Sequence, residues 1–263
     1  MTPGAARTPA ALLAEPVGAT IVAGEGLSGF GGLHGGLALA LLTSAMTELV
    51  PGLALRSTTA QFVRPLRDGA GVQSRVVRQG RLLSATEATA GDDGDVHVRA
   101  AAVWGAPSTT GARSFAPDPP AAPPPEACPR FFIPPEIVAF GRHVEIHPVG
   151  PARPFTGGAV PELLAWIRLV ADGEPPDVLR MITLIDALAP SYSAVMDTPV
   201  GVPTIELTVR PAPALADASS PWTLIRANTI AASPDGWVDE RIDVWGPDGR
   251  HLASAQQLRV VRA

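Results

Sequence analysis

The chain has 263 residues, 46% hydrophobic and 17% charged, which describes a globular protein with a substantial core rather than a disordered one. Its net charge of −5 leaves no broad basic surface for non-specific nucleic-acid binding; all 20 basic residues are arginine, which excludes Schiff-base, pyridoxal-phosphate and P-loop lysine chemistry. The one cysteine, Cys128, excludes an intramolecular disulfide and cysteine-rich metal sites, and fits a reducing, cytoplasmic setting.

Taken in chain order, the run AALLA after Arg7 is cut short by Glu15 and Pro16, so no signal peptide is expected. No apolar stretch is long enough to span a membrane. The histidines at 34, 97, 143, 147 and 251 show no metal-ligand spacing, and neither metal nor cofactor is expected. Gly24, Gly26 and Gly29 spell GxGxxG, but glycines continue to Gly36, so a helix starts too late for a dinucleotide site. In Gly26-Leu27-Ser28-Gly29-Phe30 a Phe stands where a nucleophile elbow needs Gly, which argues against an α/β-hydrolase.

Leu37–Val50 predicts a helix apolar around nearly its whole circumference, and such a helix must be buried on most sides. At its start, Gly35 and Gly36 offer unpaired N–H groups that could receive a carbonyl oxygen turning negative. Close backbone packing explains the same glycines, and His34 reads as a capping or packing residue. STTAQFVRPL (57–66) and the pattern ending at VHVRAAAVWG (96–105) predict strands. Gly105–Pro129 holds eight prolines in 25 residues and predicts an extended linker between modules at 1–104 and 130–263.

The second module repeats the order of the first. HVEIHPV (143–149) and ELLAWIRLVA (162–171) read as opening strands, the latter with helix as the alternative, and PPDVLRMITLIDALAPS (175–191) reads as a helix. VPTIELTVRPAP (202–213) and HLASAQQLRVVR (251–262) read as strands. TTAQFVRP superposes on TIELTVRP, with Thr58 on Thr204, which points to duplication. Each half is then one buried helix inside a curling antiparallel sheet, an α+β arrangement.

Asp186 is the strongest anomaly. On a 3.6-residue period it shares a face with Leu179, Ile182 and Ala189. Unpaired burial there costs several kcal/mol, so the carboxylate needs donors, which makes it a candidate base. The competing reading is a last-turn residue reaching solvent near Pro190. Thr204 and one of Gln256 and Gln257 are candidate partners; adjacent strand residues face opposite ways, and alternation does not choose between the glutamines.

These segments resemble the acyl-CoA thioesterase II family. The family pattern has an Asp on the second helix, a Thr opening the next strand, and a Gln in the last strand followed by a terminal Arg. Here those positions are Asp186, Thr204, Gln257 and Arg262, and GLHGGLALALL fits the Gly-rich start of the first helix. Two features depart from the family: STTAQFVRP lacks the His-Ser pair, and Ala100–Ala102 stand where the second half has its Gln-bearing strand, so the second half organises a single site. The resemblance implies a double hotdog, two tandem modules each with a curved antiparallel sheet around a central helix. It implies a homo-oligomer whose partner is an acyl-CoA substrate, with no nucleic acid, membrane or cofactor. Hydrolysis would need no covalent intermediate: Asp186 acts as general base or orients the water, Thr204 and Gln257 hold that water, and Gly35 or Gly36 stabilises the oxyanion. Arginines at a domain edge would suit the coenzyme A phosphates. Two alternatives are a non-catalytic acyl-thioester-binding hotdog and a hotdog hydratase or dehydratase; the sequence places no His close to Asp186, which counts against the latter.

Overall fold

The computed structural model describes residues 7–24, 26–92, 94–106, 112–170 and 172–262. Alternating burial along the polypeptide builds one antiparallel sheet from β1 (Ala54–Phe62), β2 (Gly71–Arg78), β3 (Leu83–Asp92), β4 (Asp95–Gly105), β5 (Val144–Pro148), β6 (Glu162–Leu169), β7 (Thr204–Pro211), β8 (Thr223–Ala232), β9 (Trp237–Trp245) and β10 (His251–Val260). The strand order is β2-β3-β4-β1-β7-β10-β9-β8-β6-β5. Read outward from the β1–β7 seam, β1-β4-β3-β2 mirrors β7-β10-β9-β8, as expected of two hotdog modules joined edge to edge. The TTAQFVRP and TIELTVRP segments are the two seam strands, with Thr58 opposite Val209 and Gln61 opposite Glu206. ELLAWIRLVA forms strand β6 rather than helix.

Within the described residues, three α-helices accompany the sheet: α1 (Pro9–Leu13), α2 (Gly35–Thr47) and α3 (Val178–Ile185). Among the described residues no helix is long and apolar enough to cross a membrane. The all-round apolar helix is α2, with Leu37, Leu39, Leu41, Leu42 and Met46 all buried. It lies against an inner sheet face of small residues: Ala60, Ala88, Ala90, Ala100 and Ala102 are each no more than 3% exposed. Large helix side chains over small strand side chains fill the layer to interior density without clashes. One core cluster runs through both halves of the chain.

Residues 107–111 of the predicted linker lie outside the described residues. Beyond them the chain runs without regular structure to a 3-10 turn at Pro125–Ala127. Extended proline-rich backbone makes no internal hydrogen bonds, which leaves its carbonyls available. Two buried tryptophans use them: Trp245 Nε1 donates to Pro117 O (3.0 Å) and Trp166 Nε1 to Pro123 O (2.8 Å).

The N-terminus of α2 meets the C-terminus of α3. The helix predicted over 175–191 is shorter, because Pro190 has no N–H to donate to the carbonyl of Asp186 four residues back. Asp186 is the C-cap, with φ −90° and ψ 2°. His34 Nε2 takes over that carbonyl at 3.1 Å, while its Nδ1 accepts from the Leu37 N–H at 3.3 Å and so caps α2. Together the two bonds require a neutral ring carrying its proton on Nε2. Burial pushes the His34 pKa below its ordinary 6.5, against the attraction of Asp186, and the ring stacks on Phe140 with centroids 3.8 Å apart. A Cβ on Gly36 would stand 2.8 Å from both Ile182 O and Asp186 Cβ, so only glycine allows the two helices to approach this closely.

Gly36→Ala is therefore expected to lower stability by roughly 1–3 kcal/mol in urea unfolding, through overpacking against backbone. Gly18→Ala, with nothing within 4 Å of its Cβ position, should be neutral or slightly stabilising. The lowered pKa of His34 gives a second test. Below pH 6.5 the unfolded chain binds a proton at His34 that the folded chain resists, so stability falls as the pH drops. Comparison of wild type with His34→Gln should isolate a slope of at most about 1.4 kcal/mol per pH unit, confined to the window between 6.5 and the lowered folded value.

Candidate active site

Asp186 leaves the end of α3 with its side chain only 8% exposed. A carboxylate buried to this degree must be paired, and three donors meet it. Oδ1 accepts from Gln257 Nε2 at 2.6 Å and from Thr204 Oγ1 at 3.2 Å. Oδ2 accepts from the Gly36 N–H at 2.8 Å, at the positive end of the α2 dipole. The alternative of a last-turn residue reaching solvent is thus not what forms.

Each donor is placed by a simple local rule. Thr204 is the first residue of β7, directly beside the end of α3. Alternation along β10 turns Gln257 inward, fully buried, and Gln256 outward, where its Nε2 donates to Asp239 Oδ1 at 2.9 Å. The glutamine named by the resemblance is therefore the one that reaches Asp186. Gln257, however, does not line the cavity in front of Asp186; its amide is spent on the carboxylate and not on a space where water could sit. Gly36 is spent in the same way. The neighbouring Gly35 N–H, at the first turn of α2, has no hydrogen-bond partner among the described residues, and Gly35 lines the cavity.

Two further residues around Asp186 were missed by the sequence reading, and one of them, Arg259, also lines the cavity while the other, Glu240, does not. Arg259, two positions after Gln257 on the same strand face, is 4% exposed, and Glu240 on β9 is 1% exposed. Arg259 Nε donates to Glu240 Oε2 at 2.8 Å, and Nη1 donates to Thr204 Oγ1 at 2.9 Å. Its Nη2 donates to Gln257 Oε1 and lies 3.8 Å from Asp186 Oδ1. Period-2 alternation would have found Arg259; Glu240 needs the β9–β10 register, which sets it opposite Gln257. Arg262, the terminal arginine of the family pattern, is exposed and lines the cavity without touching Asp186.

The fold also supplies a histidine that chain proximity did not: His34 Nε2 lies 3.8 Å from Asp186 Oδ2. Both its ring nitrogens are engaged by backbone groups, so this is not the free Asp–His pair a hydratase would use. The cavity has a volume of about 360 Å³ and is mainly apolar, with Phe62, Phe140, Leu163 and Leu188 in its wall. Asp186, Thr204, Gly35, His34 and Arg259, gathered around the one carboxylate, form its polar end. Among the described residues no group of three or more His, Cys, Asp and Glu is placed to hold a metal ion.

In the first half the equivalent place carries no charge. Thr58 Oγ1 meets Thr43 Oγ1 of α2 at 3.1 Å, and the residue opposite Thr58 on β4 is Ala102. Opposite Thr204 on β10 stands Arg259.

Residues 25–105 match the family model of the acyl-CoA thioesterase N-terminal domain, and residues 116–261 match that of the acyl-CoA thioesterase C-terminal domain. No curated protein matches the chain at a significant level. Among solved structures, a hot dog protein of unknown function from Alicyclobacillus acidocaldarius is 23% identical, with a TM-score of 0.82 and 91% of each chain covered. A Thermobifida fusca protein with a provisional assignment as a thioesterase II is 24% identical, with a TM-score of 0.76, covering 94% of this chain and 96% of its own. Acyl-CoA thioesterase II TesB2 from Mycobacterium marinum is 17% identical, with a TM-score of 0.70, covering 87% and 88%. At these identities the likeness of the three structures establishes the hotdog fold alone. With each half matched by its own model, the chain belongs to the acyl-CoA thioesterase family.

Proposed function

We propose that the protein hydrolyses an acyl-CoA thioester to the free acid and coenzyme A, with Asp186 as the base. The observation that carries this reading is a buried carboxylate held by three donors at the polar end of an apolar cavity, beside a free helix N-terminal N–H. Oδ1 accepts two bonds, whereas Oδ2 accepts one and has acceptor capacity to spare, with Gly35 close beside it.

Water bound to Oδ2 would give up a proton to Asp186 as its oxygen attacks the thioester carbon. The carbonyl oxygen, turning negative, would be met by the Gly35 N–H at the head of α2. Collapse of the tetrahedral intermediate breaks the carbon–sulfur bond, and the proton held by Asp186 passes to the departing thiolate. The products are the acid and the free thiol, and no covalent enzyme intermediate forms. The acyl group would lie in the apolar part of the cavity. Thr204 and Gln257 serve this reaction by fixing the carboxylate, a different task from the water-holding one the resemblance implies.

Purified protein is expected to release thiol from at least one member of a panel of short, medium, long and aromatic acyl-CoA esters. Asp186→Asn should keep the fold and lower kcat by about 10²–10⁴, the range of general-base contributions. Gln257→Ala should lower turnover, while Gln256→Ala, on the outer face, should not. Unchanged turnover in Asp186→Asn would remove the assignment of the base. Binding of the panel without thiol release would favour the non-catalytic hotdog.

A further inference from the structure

Resting on the reading of Asp186 as base, we infer that Arg259 is the positioning residue that fixes which way Thr204 and Gln257 present their polar atoms to it. Neither group carries that information alone. The Gln257 amide has a donor end and an acceptor end of nearly the same shape, and its oxygen turned toward Asp186 would repel the carboxylate. The Thr204 hydroxyl rotates and can offer Asp186 either a proton or a lone pair.

Arg259 removes both ambiguities, because a guanidinium only donates. Nη2 donates to Gln257 Oε1, so the Nε2 end faces Asp186, at 2.6 Å. Nη1 donates to Thr204 Oγ1 at 2.9 Å, so the Thr204 proton is left for Asp186 Oδ1, at 3.2 Å. Arg259 is itself oriented from behind. Its Nε donates to Glu240 Oε2 (2.8 Å), Nη1 also reaches Val202 O (3.4 Å), and Glu240 Oε1 accepts from the Ser191 N–H (2.5 Å). Ser191 follows Pro190, so the chain leaving α3 is tied into the same network. The resulting chain of bonds runs Ser191, Glu240, Arg259, then Thr204 and Gln257, and ends at Asp186.

The Arg259–Glu240 pair is poorly explained as a source of stability. Buried ion pairs are often replaceable by apolar residues of similar volume with little loss. What such a replacement cannot supply here is three directed donors from one planar group, and a lysine cannot supply them either.

The test measures kcat and KM for wild type, Arg259→Lys, Gln257→Ala and the Arg259→Lys/Gln257→Ala double variant. Arg259→Lys keeps the charge beside Glu240 but loses the fork, and is expected to lower kcat about tenfold or more with KM little changed. In the Gln257→Ala background the same change should cost clearly less, because part of what Arg259 orients is already gone. Fully additive losses, or a wild-type kcat in Arg259→Lys, would overturn the inference while leaving hydrolysis by Asp186 intact. A wild type inactive on every thioester would instead remove the hydrolase reading, and this inference with it. If Arg259→Lys does not fold, Arg259→Met/Glu240→Leu replaces the pair with apolar volume. That variant should fold and still turn over about tenfold or more slowly, and full turnover in it would overturn the inference.

Discussion

A carboxylate sits at the end of its own helix, where the backbone carbonyls of α3 disfavour negative charge. What holds it there is the start of a different helix. The 2.8 Å hydrogen bond from the Gly36 N–H to Asp186 Oδ2 joins α2 to α3 and sets the positive end of one dipole against the negative end of the other. This contact accounts for features that otherwise look unrelated. Gly36 has no side chain because a Cβ would enter the α3 backbone, and Gly35 has none because a Cβ would lie 2.8 Å from Asp186 Oδ2. His34 is neutral because it must accept from α2 and donate to α3 with the same ring. Buried without these donors, Asp186 would carry a penalty of several kcal/mol.

The mirrored strand order on either side of the seam makes the two halves directly comparable. Both seam strands present an inward threonine to a helix. In the first half the partner is Thr43 and the surroundings are alanine; in the second it is Asp186, backed by Arg259 and Glu240. The half without a buried carboxylate is free to pack its Leu-rich helix tightly on an Ala-rich sheet, and it contributes to the site backbone N–H groups, the neutral His34 ring and apolar wall such as Phe62. Division of labour thus follows from where charge is buried, because a buried charge needs its own enclosing network.

Much of this was legible in the chain. An all-round apolar helix had to be central, and α2 is. A lone carboxylate among apolar residues had to find donors, and Asp186 finds three. Periodicity misjudged the length of α3, since a pattern of apolar residues does not register the N–H that Pro190 lacks. The choice between Gln256 and Gln257 came from resemblance, because alternation fixes only that the two face opposite ways. His34 and Gly36 reach Asp186 across 152 and 150 residues of sequence, and nothing local announces such pairings. Glu240 was hidden for the same reason, since its relation to Arg259 exists only once strand register is set.

The position of β10 has a consequence for how the protein is made. It lies between β7 and β9, both of which precede it in the chain, so neither can reach its final neighbour until residues 251–260 are inserted. That insertion also delivers Gln257 and Arg259 to Asp186. Without residues 251–260 the sheet has a gap between β7 and β9, and of its three donors Asp186 can have only the Gly36 N–H and Thr204. The β9–β10 pair is a local hairpin, whereas β7–β10 joins segments about 50 residues apart, and non-local pairing of that kind is what slows folding in sheet-rich topologies.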